Sequence, residues 1–240
     1  DSGSMVFDGD GVAEYGGIAL KEFRRNLQMV FQDSFASLNP RLTIVETIAY
    51  GPQVHGMNAD TAMQEARALL ARVGLDPDQF ASRYPHELSG GQRQRVNIAR
   101  ALAFHPRLVI LDEAVAALDK SVQAQVLNLL QELKAERQLT YLFISHDLHV
   151  VHYISDEVMV MYLGQVVERG PVELIYSEAA HPYTRALLPL RTFLLARPNW
   201  CTPVFPVWNS LPAAPFTASS FTTTSSTPSM PGSSNIVSRR

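Results

Sequence analysis

Three apolar runs in this sequence are each followed by polar side chains that could handle a phosphate group. Gln32 follows NLQMVF, the pair Asp112 and Glu113 follows LVIL, and His146 follows YLFIS. Asp112 and Gln32 predict a Mg²⁺ site, because oxygen ligands suit this cation. Beside it, Glu113 could orient or deprotonate an attacking water, and His146 could donate to developing phosphate charge. Each residue alone is more often structural, so the prediction rests on their joint occurrence.

The stretch ELSGGQRQRV at residues 87–96 predicts a helix whose start can hold an anion. Ser89 can cap this helix, and Gly90 and Gly91 leave backbone N–H groups free at its positive end. A cap and turn alone is the structural alternative. No Gly-Lys pair, and hence no G-x-x-x-x-G-K-[ST], occurs in the 240 residues. The sequence therefore predicts a phosphate site without a lysine of its own.

Short apolar runs alternate with helical patterns up to about residue 190, which is typical of an α/β fold with a parallel sheet. A mainly helical stretch spans about 43–104 and includes ADTAMQEARALLARVG, closed by Gly74. Ligands bind beyond the carboxyl ends of parallel strands, so the polar residues that follow the strands should meet at one edge. We predict strands at 26–31, 107–112 and 139–145. We also predict a helix at 120–137 and a hairpin at 157–170 with Gly164 near its turn.

Composition and charge limit the classes of function. The net charge of −3 and the pI near 6.2 argue against nucleic acid as a partner, which normally needs a basic face. We interpret Arg93, Arg95 and Arg100 as a solvated or carboxylate-paired helix face. One cysteine allows no internal disulfide, which favours a reducing compartment. Residues 191–240 lack Asp, Glu and Lys and are rich in Ser, Thr and Pro, so we predict a disordered or non-native tail without function.

Five motifs resemble, in their order along the chain, those of ATP-binding-cassette (ABC) ATPases. LSGGQ at 88–92 is similar to their signature motif, VILDEA at 109–114 to the Walker B strand, and AALD at 116–119 to the D-loop. VFQDS at 30–34 resembles the Q-loop, and ISHD at 144–147 the switch-histidine region. The stretches FQDSFASLNPRLT, RYPHELSGGQRQRVNIARALA, SVQAQVLNLL and HPYTRALL place the resemblance near the ATPase subunits of dipeptide, oligopeptide, glutathione and nickel importers.

This resemblance implies both a fold and a division of the chain. The fold would be an incomplete ABC nucleotide-binding domain, α/β with a P-loop NTPase-like parallel sheet core and a helical subdomain. The ATPase domain would span residues 1–165, with the helical subdomain at about 43–104. An importer-type C-terminal extension would follow at 166–190, before the tail at 191–240.

The resemblance also implies an activity and its partners. The chain would belong to the ATP-binding and ATP-hydrolysing subunit of a membrane importer for peptides or a related small solute, with ATP and Mg²⁺ as cofactors. Glu113 and His146 would be catalytic, and Asp112 and Gln32 would hold the metal. The residues that contact nucleotide would be Gln32, Leu88, Ser89, Gly90, Gly91, Gln92 and Asp119.

In this family two nucleotide-binding domains pack head to tail. LSGGQ would therefore hold the γ-phosphate of a nucleotide bound mainly by a second ABC ATPase subunit, in a homodimer or a heterodimer. Further partners would be transmembrane permease subunits and, indirectly, an extracytoplasmic solute-binding protein. The subunit would be peripheral, on the cytoplasmic face of the plasma membrane.

The sequence departs from the family pattern in three places. A Walker A motif would be expected upstream of DSGSMVFDG, so we expect an N-terminally incomplete copy that binds ATP poorly in its own half-site. The sheet would then lack the strand that leads into the P-loop, and neighbouring strand edges would be unpaired. Ala114 stands where most of the family has Pro, and Ala116 where the D-loop usually has Ser.

Two other classes of function stay open at this point. A soluble ABC ATPase in DNA repair or translation would show a coiled-coil insert or a second cassette, and HPYTRALL argues against it. A catalytically incomplete half would only donate LSGGQ to a partner ATPase. Glu113 and His146 argue against this for a full-length parent, whereas for the chain as it stands this donation is the only catalytic part available. Zinc binding by His146, His149 and His152 is disfavoured, because their spacing is a poor copy of the i, i+4 pair that binds zinc.

Overall fold

The computed structural model describes residues 4–12 and 17–188. The strands are β1 (Val6–Phe7), β2 (Asp10–Gly11), β3 (Leu27–Val30), β4 (Leu108–Asp112), β5 (Thr140–Ile144), β6 (Glu157–Tyr162) and β7 (Gln165–Pro171). The helices are α1 (Leu20–Asn26), α2 (Ile44–Val54), α3 (Ala59–Arg72), α4 (Pro77–Phe80), α5 (Gly90–Leu102), α6 (Lys120–Arg137), α7 (Leu148–Ile154), α8 (Val172–Glu178) and α9 (Pro182–Leu187). No helix in these two segments is long and apolar enough to cross a membrane. The predicted tail at 191–240 lies outside the described residues.

A parallel sheet of three strands, in the order β3-β4-β5, carries the polar residues identified in the sequence. Val30 pairs with Leu111, and Asp112 pairs with Ile144, so the three carboxyl ends lie side by side. The three predicted strands are confirmed. β3 is shorter than the predicted 26–31, because Asn26 instead ends α1, where its side-chain amide donates to the carbonyl oxygen of Glu22 at 3.1 Å.

Helices α2 to α5 lie between β3 and β4 in the chain. Polar side chains cap their first turns, with Thr43 at α2, Asn58 at α3, Asp76 at α4 and Ser89 at α5. Each cap satisfies backbone N–H groups that the helix itself leaves free. Gly74, with φ of +74°, ends α3 as predicted. The largest fully buried side chains of these helices are Ile44, Ile48, Leu70, Gln94, Val96 and Leu102. This packing holds α5 against β3.

Helix α6 has the bounds predicted for it, residues 120–137. Its Val126, Leu130 and Leu133 are almost fully buried, so one face of the helix supports the core. The hairpin of β6 and β7 is also confirmed, with Gly164 at φ of +78° in its turn. The positive φ suits glycine, which has no Cβ to clash with the backbone.

Both edges of the three-stranded sheet lack a further strand within the described residues, because β3 and β5 each pair with β4 alone. The β5 edge carries exposed apolar side chains. A cavity of about 920 Å³ lies on this side, between β5, α7 and the hairpin of β6 and β7. Large apolar side chains at this edge are exposed, among them Leu142, Ile144, Met159 and Met161. An unpaired edge with exposed apolar side chains can pair with another strand.

Candidate functional site

Glu113 stands at the centre of the polar cluster beyond the strand ends. The side-chain amide of Gln32 donates to Glu113 Oε2 at 2.7 Å. On the other side, Nδ1 of His146 lies 3.0 Å from Glu113 Oε1. Three residues far apart in the chain are thus joined in one bridge, which we call the carboxylate bridge. Both end groups stay accessible, since the His146 side chain is 72% exposed and Gln32 is exposed, while the Glu113 side chain between them is 28% exposed.

The backbone at Glu113 directs its side chain toward this bridge. Glu113 has φ of +45°, in the left-handed region that non-glycine residues seldom occupy. Such a conformation costs about 1–3 kcal/mol and recurs at functional sites. Two hydrogen bonds hold it: the Glu113 N–H donates to the carbonyl of Ile144 at 2.9 Å, and the Ala116 N–H donates to the carbonyl of Glu113 at 3.0 Å. The chain therefore turns sharply at the end of β4.

The carboxylate bridge fixes the tautomer of His146. An ionised carboxylate only accepts hydrogen bonds, so the Nδ1–H of His146 is the donor to Glu113. The other ring nitrogen, Nε2, then accepts in the neutral ring and donates only in the imidazolium form. His146 can therefore support anionic phosphate oxygens when it is protonated.

Oxygen ligands for a cation lie next to the carboxylate bridge. Asp112 is half-buried at the end of β4, and its carboxylate takes no side-chain hydrogen bond or ion pair within the described residues. The Gln32 amide nitrogen is used by Glu113, which leaves its carbonyl oxygen available. One carboxylate and one amide oxygen, with waters and phosphate oxygens, fit the ligand preference of Mg²⁺. The residues present thus suit the predicted metal.

The start of α5 has the capping geometry predicted for residues 87–96. The Ser89 hydroxyl accepts from the Gln92 N–H at 3.3 Å, and the Gln92 side chain accepts from the Ser89 N–H at 2.9 Å. The N–H groups of Gly90 and Gly91 have no acceptor among the described residues, as expected for the first two positions of a helix. Two backbone donors therefore point out of a positive helix end.

The start of α5 and the turn before α6 form a second cluster. Leu88 is 4% exposed and anchors the turn, while Asp119 is exposed at the N-cap position of α6, where its side chain makes no capping bond. A Cβ placed on Gly91 would lie 2.4 Å from Val122 Cγ1, so the two helix starts touch closely. No side-chain hydrogen bond or ion pair between described residues joins this cluster to the side chains of the carboxylate bridge.

The arginines of α5 are partly exposed, but the carboxylate pairing offered for them is wrong, and a buried residue beside them was not predicted. The three arginines donate to backbone carbonyls: Arg93 to Leu88, Arg95 to Val73 and Arg100 to Ser37. None of the ion pairs between described residues includes them. Asn97, on the same helix and 1% exposed, bonds to the loop that follows Gln32. The feature of the sequence that could have identified Asn97 is an asparagine at a core-facing position of an amphipathic helix.

The chain is similar to known proteins in both sequence and fold. The model of the ABC transporter family matches residues 1–116. The solved structure of cbiO1 from Clostridium perfringens, part of the ABC transporter complex cbiONQ, superposes with a TM-score of 0.65 at 26% identity, over 79% of this chain and 74% of that one. By sequence and by fold, the chain is similar to members of the ABC transporter family.

Within this family, the chain is similar to ATP-binding proteins of oligopeptide and glutathione transport. Over 78% of its length, it is 50% identical to the oligopeptide transport ATP-binding protein OppF and 54% identical to AppF, both of Bacillus subtilis. It is 51% identical, over the same share, to the glutathione import ATP-binding protein GsiA of Pectobacterium atrosepticum. The chain spans 62%, 57% and 30% of the lengths of these relatives, respectively.

Proposed function

We propose that this chain is part of an ATP-binding and ATP-hydrolysing subunit that energises the import of peptides or a related small solute. The observation that carries the proposal is the carboxylate bridge of Gln32, Glu113 and His146 beyond three adjacent parallel strands. The identity of about 50% with oligopeptide and glutathione transport proteins supports the solute class.

Glu113 is the general base of the proposed reaction. A water oxygen attacks the γ-phosphorus of ATP, the bond from that phosphorus to the bridging oxygen of ADP breaks, and the water proton passes to the Glu113 carboxylate. Both Glu113 oxygens are already hydrogen-bonded, to Gln32 and to His146. Each oxygen keeps a further lone pair, so the carboxylate can accept the water proton while both hydrogen bonds persist. The carboxylate bridge thus holds the base in a fixed orientation.

The neighbours of Glu113 have supporting roles. His146, once released or protonated at both nitrogens, donates to phosphate oxygens as negative charge develops. Asp112 and the Gln32 carbonyl oxygen would hold Mg²⁺, which neutralises phosphate charge when it is bound. Asp112 is suited to this because its carboxylate is not committed to another described side chain.

The start of α5 serves a nucleotide held mainly by a second ATPase subunit. Ser89 and the free N–H groups of Gly90 and Gly91 donate to its γ-phosphate, with Leu88, Gln92 and Asp119 shaping the surface around them. Hydrogen bonds to a charged group are worth about 1.5–3 kcal/mol each. Several that form only with ATP favour the closed pair of subunits, and hydrolysis releases it. Permease subunits, and indirectly a solute-binding protein, complete the assembly at the cytoplasmic face of the membrane.

The test is a charge-neutral substitution of the base in the assembled transporter that contains this chain. Glu113→Gln should lower ATP turnover at least about 100-fold, because general base catalysis contributes 10²–10⁴-fold, and should leave ATP binding intact. Glu132→Gln is the matched control, since it makes the same chemical change at an exposed position on α6. Turnover by Glu113→Gln equal to that of the control would remove Glu113 from the role of base.

A second candidate is a half that only donates its signature motif to a partner ATPase. The observation that favours it is the start of α5, where the Ser89 cap leaves the N–H groups of Gly90 and Gly91 free in a cluster apart from the side chains of the carboxylate bridge. This candidate predicts that Glu113→Gln changes nothing, whereas Ser89→Ala weakens turnover at the nucleotide of the partner. Stoichiometric binding of ATP by the purified chain alone would contradict it.

A further inference from the structure

The loop that follows Gln32 is held by side chains of α5. Asn97 Nδ2 donates to the carbonyl oxygen of Ser34 at 3.1 Å, and Asn97 Oδ1 accepts from the Ser37 hydroxyl at 3.1 Å. The Arg100 guanidinium donates to the carbonyl of Ser37. We call these contacts, between Asn97, Arg100 and residues 34–37, the loop brace.

The loop brace requires the burial of polar groups. Asn97 is 1% exposed, so both ends of its amide must find partners inside the protein, and both do so in the loop. Burial lowers the pKa of Arg100, yet its hydrogen bond goes to a carbonyl and not to a carboxylate. A cation and a buried amide directed at one short loop fix that loop in a single position.

The internal hydrogen bonds of the loop are those of turns, which shape the segment but do not by themselves fix it against α5. Between β3 and α2 it forms turns only, with Asp33 Oδ1 accepting the N–H groups of Phe35 and Ala36 at 2.9 Å. Gln32 itself is exposed, and its side chain makes its bond to Glu113 across 81 positions of sequence. Its placement therefore depends on what holds residues 34–37.

We propose that Asn97 and Arg100 are positioning residues, which act through Gln32 to hold its amide on Glu113. The inference rests on the proposed function, because Gln32 has a role in hydrolysis only if that function is correct. It adds a physical link between the two clusters, since the loop brace is built from the same helix that begins at the Ser89 cap. A shift at the start of α5 is passed through two turns of helix to Gln32.

The first test measures the loop itself and needs no catalysis. Amide hydrogen exchange of residues 33–38 in the full chain should speed up at least about tenfold in Asn97→Ala, because the loop then opens more often. Arg100→Lys should act in the same direction, since lysine lacks the planar fork of donors. Arg95→Lys is the matched control: Arg95 also donates to a backbone carbonyl from α5, but to Val73 instead of the loop. Equal exchange in all three variants would overturn the proposal.

The second test asks whether Asn97 acts through Gln32. In the assembled transporter, Asn97→Ala should lower kcat for ATP about tenfold with a change in KM below about twofold, because positioning is lost and not binding. In a Gln32→Ala background the same substitution should have no further effect on kcat. An effect of equal size in both backgrounds would mean that Asn97 is merely structural, and would overturn the proposal.

The two tests separate this inference from the proposed function. If Glu113→Gln retains turnover, the proposed function fails, while the exchange measurement still decides whether the loop brace holds residues 33–38. If Glu113→Gln abolishes turnover but Asn97→Ala retains it in full, the loop brace has no part in catalysis and the proposed function stands.

Discussion

Gly91, the second residue of α5, has no room for a side chain. An ideal Cβ at this position would lie 2.4 Å from Cγ1 of Val122, far inside van der Waals contact. Val122 cannot easily turn away, because β-branched side chains on a helix keep essentially one χ1 rotamer. At Gly90, by contrast, the nearest atom to an added Cβ is Leu118 Cδ2 at 3.9 Å, an ordinary contact distance. The two neighbouring glycines therefore make a matched pair.

Two opposing effects determine the expected change in the free energy of unfolding. Alanine is a better helix former than glycine by up to about 1 kcal/mol, so Gly90→Ala should be neutral or slightly stabilising. Gly91→Ala gains the same term but overpacks the contact with Val122, which typically costs about 1–3 kcal/mol. The free energy of unfolding of Gly91→Ala should therefore fall about 1–3 kcal/mol below that of Gly90→Ala.

Urea unfolding of the purified chain, followed by circular dichroism, measures this difference from the midpoints if the m-values agree. Val122→Ala removes the atom that clashes, so Gly91→Ala should cost little when it is introduced into Val122→Ala. Free energies of unfolding of Gly90→Ala and Gly91→Ala that differ by less than about 0.5 kcal/mol would show that the contact with Val122 has no effect. An equal cost of Gly91→Ala in the native protein and in Val122→Ala would also refute the role of this contact.

Two further changes test the sheet and one ion pair. Leu111→Ala should cost about 2–5 kcal/mol in urea unfolding, because Leu111 is fully buried in β4, whereas Leu174→Ala, at a side chain that is 51% exposed, should cost far less. Partial burial would raise the pKa of Asp147, but the hydrogen bond and charge of Lys120 and two backbone N–H groups of α7 together lower it below 3.8. The stabilisation from a lowered pKa is present above pH 3.8 and is lost as the pH falls through the folded value. Lys120→Met should bring the Asp147 pKa, measured by NMR titration, back toward 3.8; an unchanged titration would refute the pairing.

Much of the sheet and of the helix pattern is readable from the sequence. Apolar runs that end in polar residues predict β3, β4 and β5. A continuous apolar run also predicts burial on both faces, which is wrong for β5, where Leu142 and Ile144 are exposed. The register of these strands then brings Gln32, Glu113 and His146 to one edge. That they would be near one another follows from sequence, because parallel strands share an end.

The bonding within the site is not readable in this way. The left-handed backbone of Glu113 depends on its N–H finding the carbonyl of Ile144 in a strand that comes later in the chain. The loop brace likewise joins Asn97 to Ser34 and Ser37 across at least 60 positions. Local patterns assign a face of a helix to solvent or core, but they do not name the tertiary acceptor of a polar side chain. For that reason the carboxylate pairing offered for the arginines of α5 was wrong.

For the protein engineer, the backbone of Glu113 ties the choice of amino acid at position 114 to the conformation at position 113. A proline ring at 114 would crowd the preceding residue and press it toward extended backbone, away from φ of +45°. Restoring the usual proline of the family at Ala114 would look like a safe consensus substitution, yet here it would oppose the turn that directs the Glu113 carboxylate toward Gln32 and His146. A mutant library for this protein should vary both positions together.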